Sequence, residues 1–282
     1  MDKCQIIEKS IYPSVRRIIV IGDLHGDFNV ICKALKIANL VKFISSSNGK
    51  RTVKWTGGDT HLVQLGDILD RYRGTITFKD EKSEYKIFKL LLQLKKQAIK
   101  QNGNVHLIVG NHELMNIMGD YRYVSAEGHL DFSEYGNRTN ALKPGGMFST
   151  IMACNMKGVV KIGKYIFSHA GITVNTSKIG INNLNNKIRY MMLTGICEHE
   201  ILDTFWHRDF SSNPAKCDIL EESLYNLNAD FMIVGHSTHK NINSACDGKV
   251  WRVDTGMSSA FGKNNKVSVL EIFKGKFNVI IE

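Results

Sequence analysis

Short runs of consecutive apolar residues recur along the chain, and each run is followed by a glycine or serine and then by polar residues. Such runs, rich in Val, Ile and Leu, are typical of strands buried inside a sheet. Five of them end before Gly22, Gly66, Gly110, Ser168 and Gly235. Two longer stretches, at about 28–38 and 84–100, are predicted to be helices, the second because its apolar residues recur on one face. The alternation of strands and helices predicts an α/β fold.

The polar residues after these runs form five short motifs of the kind that binds metals. They are Gly-Asp-Leu-His-Gly at 22–26, Gly-Asp-Ile-Leu-Asp-Arg at 66–71, Gly-Asn-His-Glu at 110–113, His-Ala-Gly at 169–171 and Gly-His at 235–236. Strand carboxyl ends in an α/β sheet converge on one crevice. Asp, Asn and His suit first-row divalent metals, and burying them without an ion costs several kcal/mol each. The sequence therefore predicts one metal centre with six ligands: Asp23, His25, Asp67, Asn111, His169 and His236.

These motifs together resemble the phosphoprotein phosphatase family, within the calcineurin-like metallophosphoesterases. Three further segments, at 115–124, 205–208 and 254–258, resemble the bacterial-type branch known as Shewanella-like protein phosphatases. The resemblance covers roughly residues 16–262. It implies central β-sheets, arranged as a β-sandwich and flanked by helices.

We expect a single metallophosphoesterase domain over residues 1–282, with a motif core at about 16–262. Two stretches interrupt the alternation of strands and helices: 120–146, rich in Gly, Tyr and polar residues, and 173–228, which is predicted to be mostly helical. Both follow ligand motifs, so we expect helical and loop insertions that roof the site. Plain surface decoration is the alternative.

The resemblance implies a dinuclear centre. Asp23 and His25 would bind the first divalent ion, and Asp67 would bridge it to the second. The second ion would be bound by Asn111, His169 and His236. The ions, Mn²⁺ in the first instance with Fe or Zn as alternatives, would share a hydroxide that attacks phosphorus directly.

The resemblance also implies roles in catalysis and substrate binding. His112 would be the general acid that protonates the leaving oxygen, with Asp70 holding its ring. Arg71 and Arg208 would clamp the phosphate oxygens, and Asn111 would also contact the substrate.

Two features concern the phosphate clamp and the substrate. An Arg beside an aromatic ring can simply stack on it, so for Arg208 stacking on Trp206 is the structural alternative. Tyr72 stands where eukaryotic members usually have Gly directly after Asp-Arg, so the loop on the phosphate side is expected to differ. The chain also lacks the Ser-Ala-Pro-Asn-Tyr type segment of the Ser/Thr-specific members.

Four functions are compatible with such a site. The leading hypothesis is a metal-dependent phosphomonoesterase, a protein phosphatase-like hydrolase acting on Ser/Thr or Tyr phosphate or on small phosphoesters. A pyrophosphohydrolase of dinucleoside polyphosphates or capped RNA ends is the second. A metal-dependent nuclease is the third, weakly indicated by Gly-His-x-x-His at 235–239. A non-catalytic scaffold is least favoured, because no ligand residue is missing.

The formal net charge of +10 favours encounters with polyanions. A phosphorylated protein or a small anionic phosphoester is the expected partner. The lysines are spread over the chain, as on the polar face of the helix predicted at 84–100, and no arginine-rich block is present. Nucleic acid is therefore compatible with the charge but is not indicated by a basic tail.

No run of about eighteen apolar residues is present, and Asp2, Lys3 and Glu8 interrupt the N-terminus, so neither a membrane span nor a signal peptide is expected. The six cysteines form no C-x-x-C pair, and reduced thiols in a soluble cytoplasmic protein are the expectation. Cys246 and Arg252 have the spacing of cysteine-dependent phosphatases, but a predicted strand at 250–253 stands where that loop needs a helix. A thiolate mechanism is therefore not expected.

Overall fold

The computed structural model describes residues 9–45, 51–74, 80–262 and 266–282, with Arg51 described in its backbone only. The N-terminal features at Asp2, Lys3 and Glu8 lie outside these ranges. The strands are β1 (Ile11–Tyr12), β2 (Arg17–Ile21), β3 (Val41–Ser45), β4 (Arg51–Trp55), β5 (His61–Gln64), β6 (Asn104–Ile108), β7 (Met156–Lys157), β8 (Val159–Ile162), β9 (Tyr165–Ser168), β10 (Phe231–Val234), β11 (Asn243–Ala245), β12 (Val250–Arg252), β13 (Ser268–Phe273) and β14 (Lys276–Ile281). The helices are α1 (Phe28–Ile37), α2 (Glu84–Ile99), α3 (Asn111–Ile117), α4 (Arg138–Leu142), α5 (Met147–Asn155), α6 (Val174–Ile179), α7 (Ile181–Thr194), α8 (Asp203–Trp206) and α9 (Leu220–Asn226).

Two six-stranded sheets form the centre of the described structure. The strand order is β14-β13-β2-β5-β6-β7 in the first sheet and β1-β8-β9-β10-β12-β11 in the second. Strands β2, β5, β6 and β7 run parallel, and so do β9, β10 and β12. The motif-bearing strands of each sheet therefore end at the same edge, where ligands bind in α/β sheets.

Apolar side chains fill the space between the sheets and the space under the helices. Between the sheets, Ile18, Val63 and Ile108 of the first sheet belong to one cluster with Val160, Phe167 and Ile233 of the second. On the other face of the first sheet, Leu62 and Val105 share a cluster with α2. The central strands are thus buried on both faces, which is why their sequences are continuous apolar runs. The predicted α/β sandwich flanked by helices is confirmed.

The two predicted helices are confirmed to within one residue of their ends. Helix α1 begins after Asp27, whose side chain accepts a hydrogen bond from the backbone N–H of Val30 at 3.2 Å and so caps the helix. The 173–228 stretch contains α6 to α9 and is mostly helical, as expected. The 120–146 stretch consists of turns, two short 3₁₀ segments and α4. Among the described residues, no helix is long and apolar enough to cross a membrane.

The cysteine prediction is wrong in part. Cys217 and Cys246 form a disulfide, with their Cα atoms 5.2 Å apart, and Cys154 is also disulfide-bonded. Cys32 and Cys197 are free. Cys217 and Cys246 are separated by 29 positions, and no local pattern indicates this contact, because the pairing depends on how the chain folds back onto the β11–β12 turn. The expectation of reduced thiols is thus corrected for Cys217 and Cys246, and a disulfide-bonded Cys246 has no thiolate.

A histidine pair lies between the sheets, away from the ligand motifs. His106 Nε2 is 3.0 Å from His61 Nδ1, and both residues are buried. The ring of Tyr12, in the second sheet, packs against both of them. Burial lowers the pKa of His61 to about 4, and burial followed by the nearby His61 lowers that of His106 well below its usual value. Both rings are therefore neutral in the folded protein at pH 7.

We expect acid to weaken the fold through this pair. An unfolded histidine binds a proton near pH 6.5, whereas the buried rings resist protonation, so the free energy of unfolding falls by about 1–2 kcal/mol per histidine between pH 7 and 5. Urea unfolding at the two pH values, with a chelator present, measures this loss. The double variant His61→Gln/His106→Gln should lose less stability between pH 7 and 5 than the wild type. The control His199→Gln, at an exposed position, should lose as much as the wild type. An unchanged loss in the double variant would contradict the prediction.

Candidate metal centre and active site

Four residues of the predicted site have left-handed backbone conformations. The angle φ is +43° at His25, +51° at Asp67, and +68° at both Asp70 and His236. Such values are uncommon outside glycine and cost free energy, so they persist only where surrounding contacts fix them. Each of the four lies in the turn that follows β2, β5 or β10. These strained turns direct the polar side chains of different strands into one crevice.

Two glycines let neighbouring turns approach one another closely. A Cβ atom at Gly110 would overlap Asp67 Oδ1, and a Cβ atom at Gly235 would overlap Asp23 Oδ1. The third and fifth motifs therefore begin with glycine, because any side chain there would clash with a carboxylate that follows a different strand.

Four ligand atoms converge to form one half of the site. Asn111 Oδ1 lies 2.9 Å from His169 Nε2 and 3.0 Å from His236 Nδ1, and these two nitrogens are 3.1 Å apart. Asp67 Oδ2 is 3.4 Å from His169 Nε2. An ion that bonds its ligands at about 2.0–2.2 Å in tetrahedral or octahedral geometry holds adjacent ligands about 3.0–3.5 Å apart. The four residues therefore fit a divalent metal ion.

The other half of the site shares Asp67 with the first. His25 Nε2 and His112 Nε2 lie 3.9 Å and 3.8 Å from Asp67 Oδ2. Asp23 Oδ2 accepts a hydrogen bond from the backbone N–H of His236 at 3.2 Å. The ligand-type atoms thus form two groups with Asp67 in common, as a bridging carboxylate requires.

All six predicted ligands come together in the folded chain. Five of them line one cavity of about 240 Å³: Asp23, His25, Asp67, Asn111 and His236. His169 is fully buried beside Asn111 and His236.

Backbone carbonyls orient two of the histidines. His25 Nδ1 is 3.1 Å from the carbonyl oxygen of Leu69, and His169 Nδ1 is 2.8 Å from that of Leu65. A carbonyl can only accept, so the His169 ring donates from Nδ1 and turns its Nε2 lone pair toward the ligand cluster. This is the tautomer that metal binding through Nε2 requires.

Two buried glutamates hold the turn at 66–70. Glu113 accepts hydrogen bonds from the backbone N–H groups of residues 67–69, the shortest at 2.8 Å. Glu84 accepts one from the N–H of Asp70 at 2.7 Å. Burial raises the pKa of each glutamate to about 7. Glu113 is not among the predicted site residues, although its place in the first turn of α3 is a capping position that a sequence can reveal.

Buried carboxylates determine the electrostatics of the site. Burial, followed by the nearby Asp254, raises the pKa of Asp23 well above its usual range. Burial also tends to raise the pKa of Asp67. The neighbouring histidines, of which His169 has the largest effect, outweigh burial and lower the pKa of Asp67 well below its usual range. Burial lowers the pKa of His236 to about 3, whereas for His169 the carboxylates outweigh burial and raise the pKa to about 10. Such a buried acidic cluster needs compensating charge, which divalent cations supply.

A guanidinium group lines the cavity just after the second motif. It belongs to Arg73 and not to Arg71, the last residue of that motif. Arg71 is buried, pairs with Asp27 at 3.1 Å and with Glu81, and is not among the described residues that line the cavity. Arg73 lines the cavity, and its Nη2 atom lies 2.7 Å from Nδ1 of His25. The predicted placement of Arg71 at the substrate is thus corrected, because the turn at Asp70 sends the Arg71 side chain into the interior.

Aromatic rings hold the Arg73 side chain over the cavity. Its guanidinium carbon lies 5.5 Å from the ring centroid of Tyr123 and 4.9 Å from that of Phe261. Both rings also line the cavity. A planar cation stacked on aromatic rings stays oriented while its N–H groups remain available to an anion.

Arg208, the second predicted phosphate clamp, lines the same cavity. Its Nη1 atom donates to the backbone carbonyl of His236 at 3.1 Å and to Ser237 Oγ at 2.7 Å, so hydrogen bonds to the turn after β10 fix the guanidinium. His239, on which the nuclease alternative depended, lies 2.6 Å from the carbonyl oxygen of Ser211 and is not among the described lining residues.

His112 and Asp70 form a hydrogen-bonded pair at the same cavity. His112 Nδ1 is 2.8 Å from Asp70 Oδ2, and Nε2 faces the ligand cluster. Burial opposes protonation of His112, but the carboxylates of Asp67 and Asp70 outweigh burial and raise its pKa. The arrangement therefore favours a protonated ring whose Nε2–H is directed into the cavity.

Comparison with known proteins identifies the family. The model of the calcineurin-like phosphoesterase family matches residues 16–240, which contain all five motifs. The chain is a calcineurin-like phosphoesterase.

Relatives of this phosphoesterase include two curated proteins. Shewanella-like protein phosphatase 2 of Arabidopsis thaliana is 30% identical, over 86% of this chain and 71% of the relative. Shewanella-like protein phosphatase 1 of Plasmodium berghei is 31% identical, over 86% of this chain and 67% of the relative. Among solved structures, the cold-active protein-tyrosine phosphatase of a psychrophilic Shewanella species matches 97% of this chain and 83% of its own, with a TM-score of 0.76 and 21% identity, which shows the same fold.

The shared position of Asp67 leads to a prediction about metal content. This phosphoesterase should bind two divalent ions per chain, and Asp67→Asn should lower the metal content more than Asn111→Ala, because Asp67 belongs to both ligand groups. Elemental analysis after dialysis against Mn²⁺ and gel filtration measures the content. Two ions retained by Asp67→Asn would contradict the bridging assignment.

Proposed function

We propose that this phosphoesterase is a Mn²⁺-dependent protein phosphatase that hydrolyses phosphomonoesters, with phosphotyrosine as its preferred substrate. One observation carries the proposal: a single cavity is lined by candidate metal ligands, by His112, which is hydrogen-bonded to Asp70 beneath it, and by two guanidinium groups. A phosphoryl group needs each of these, namely charge neutralisation, a proton for the leaving oxygen and donors for its remaining oxygens.

Each group of residues at the cavity has a separate role in the proposed hydrolysis. Two divalent ions bound by the six ligands would supply a hydroxide nucleophile at neutral pH and neutralise phosphate charge. Arg73 and Arg208 bind phosphate oxygens and orient the phosphorus. His112 donates the proton on Nε2 to the leaving oxygen, while Asp70 holds Nδ1–H and stabilises the imidazolium. Direct attack would leave no phosphorylated residue on the enzyme.

The walls of the cavity favour an aromatic leaving group. Tyr123 and Phe261 flank Arg73, and Phe261 is 40% exposed, so its ring is accessible to a ligand. Aromatic pairs gain about 0.5–1.5 kcal/mol beyond their buried area. A tyrosine ring can use this interaction, whereas a serine side chain cannot. The Shewanella enzyme of the same fold is itself a protein-tyrosine phosphatase.

Activity assays separate this function from its alternatives. Metal-stripped protein reconstituted with Mn²⁺, or with Fe or Zn in parallel, is tested on p-nitrophenyl phosphate, a phosphotyrosine peptide, a phosphoserine peptide, diadenosine tetraphosphate and single-stranded DNA. We expect the highest kcat/KM on the phosphotyrosine peptide and no turnover with chelator. Faster cleavage of diadenosine tetraphosphate or DNA than of any phosphomonoester would overturn the proposal.

Replacing Arg73 should weaken substrate binding without loss of metal. Hydrogen bonds to charged groups contribute about 1.5–3 kcal/mol, so Arg73→Met should lower kcat/KM by about 10-fold to 100-fold. Arg71→Met is the matched comparison; it should lower the thermal midpoint instead, because it leaves the buried Asp27 carboxylate uncompensated. The reverse pattern, with substrate binding lost in Arg71→Met and retained in Arg73→Met, would show that Arg71, as predicted from the sequence, binds the phosphate.

The general-acid role of His112 predicts a dependence on the leaving group. General acid catalysis supplies about 10²–10⁴-fold, and its benefit shrinks as the leaving group becomes a more stable anion. His112→Asn should therefore keep both metals but lose about 10²-fold in kcat on phenyl phosphate, and much less on p-nitrophenyl phosphate. His239→Asn, outside the cavity lining, serves as the control. An equal loss on every aryl phosphate, or loss of a metal ion, would show that His112 is not the acid.

A further inference from the structure

The 120–146 insertion contributes a buried cation beneath the site. Arg138, at the start of α4, is 1% exposed. Its Nη2 atom donates to Asp70 Oδ1 at 3.0 Å, and its Nη1 atom donates to Glu84 Oε2 at 2.5 Å and to the carbonyl oxygen of Gly128 at 2.9 Å. Its Nε atom donates to Asn116 Oδ1 at 2.7 Å. The guanidinium is thus fixed on all of its edges by described residues.

Arg138 meets Asp70 on the oxygen that does not face His112. Asp70 Oδ2 is 2.8 Å from His112 Nδ1, while Oδ1 accepts from both Arg138 and Asn116 Nδ2, the latter at 2.8 Å. The Asp70 backbone N–H donates to Glu84, which is itself paired with Arg138. Arg138 therefore fixes the Asp70 carboxylate directly and the Asp70 backbone through Glu84.

We propose that Arg138 is a positioning residue for the reaction: it fixes the plane of the Asp70 carboxylate, and Asp70 in turn fixes the His112 ring for proton donation. This inference rests on the proposed function of His112 as the general acid. A carboxylate held on Oδ1 by two donors cannot rotate, so the lone pair of Oδ2 stays directed at Nδ1. Misplacing a catalytic group by about 1 Å can cost as much as 10²-fold in rate.

A merely structural role would have a different signature. Arg138 also balances the buried charges of Asp70 and Glu84, so its removal would destabilise the fold whatever it does in catalysis. Loss of stability would reduce turnover of every substrate by the same factor. Loss of positioning acts only through proton donation and depends on the leaving group.

The test combines leaving-group dependence with a double-mutant cycle. Arg138→Lys keeps the charge but loses the planar set of donors. We expect it to retain both metals and to lower kcat about 10-fold on phenyl phosphate but less than about 3-fold on p-nitrophenyl phosphate. In the His112→Asn background, Arg138→Lys should cause no further loss on either substrate. The control is Arg252→Lys, a buried arginine bonded to Asn243 and to the carbonyl of Ser212, which should leave both rates unchanged.

Asn116→Ser keeps the test decisive if Arg138→Lys folds poorly. Asn116 links Arg138 to Asp70 and carries no charge, so its loss should give the same leaving-group pattern in milder form. An equal loss on both aryl phosphates, or full additivity with His112→Asn, would overturn the positioning role. Failure of the proposed function looks different: wild-type protein would hydrolyse no phosphomonoester, or His112→Asn itself would show no leaving-group dependence.

Discussion

The structure of the site depends on the hydrogen bonding of one strained turn. The backbone N–H groups of residues 67–70 all donate to two buried carboxylates, Glu113 and Glu84. Asp67 and Asp70 take left-handed conformations within this turn, which is unfavourable for residues with a Cβ atom. The glutamates give the turn a full set of partners only in that conformation. The Asp67 carboxylate and the Asp70 carboxylate, three residues apart, are thereby directed toward metal binding and toward His112.

Charge balance connects this turn to the rest of the molecule. Four carboxylates, those of Asp67, Asp70, Glu84 and Glu113, are buried at or against this turn, and burial without compensation is costly. Arg138 compensates two of them by direct contact. Histidine ligands and divalent cations compensate Asp67. Ions bound by the ligand groups would add to the compensation that the histidines already give Asp67.

The two insertions, 120–146 and 173–228, contribute side chains to the cavity wall and to the layer beneath the site. The 120–146 stretch supplies Tyr123 to the cavity wall and Arg138 to the layer beneath the site. The 173–228 stretch supplies Arg208, which holds the turn after β10. Polar side chains of these insertions reach buried groups that the strands, with their apolar faces, cannot satisfy.

The amino-acid sequence by itself predicted the motif-bearing strands, the two principal helices and six candidate metal ligands that the fold brings together. These follow from local patterns: continuous apolar runs specify buried strands, and a glycine followed by Asp, Asn or His specifies a turn that ends in a ligand. Tertiary structure alone decided that Arg73 faces the cavity while Arg71 pairs with Asp27, that Arg138 supports Asp70 and that Cys217 bonds to Cys246. Arg71 and Arg73 differ by two positions in a turn, so their directions depend on backbone angles that no periodicity encodes. Arg138 and Asp70 are 68 residues apart, and their contact exists only because the packing of α4 against α3 brings these two segments of the chain together in the buried interior.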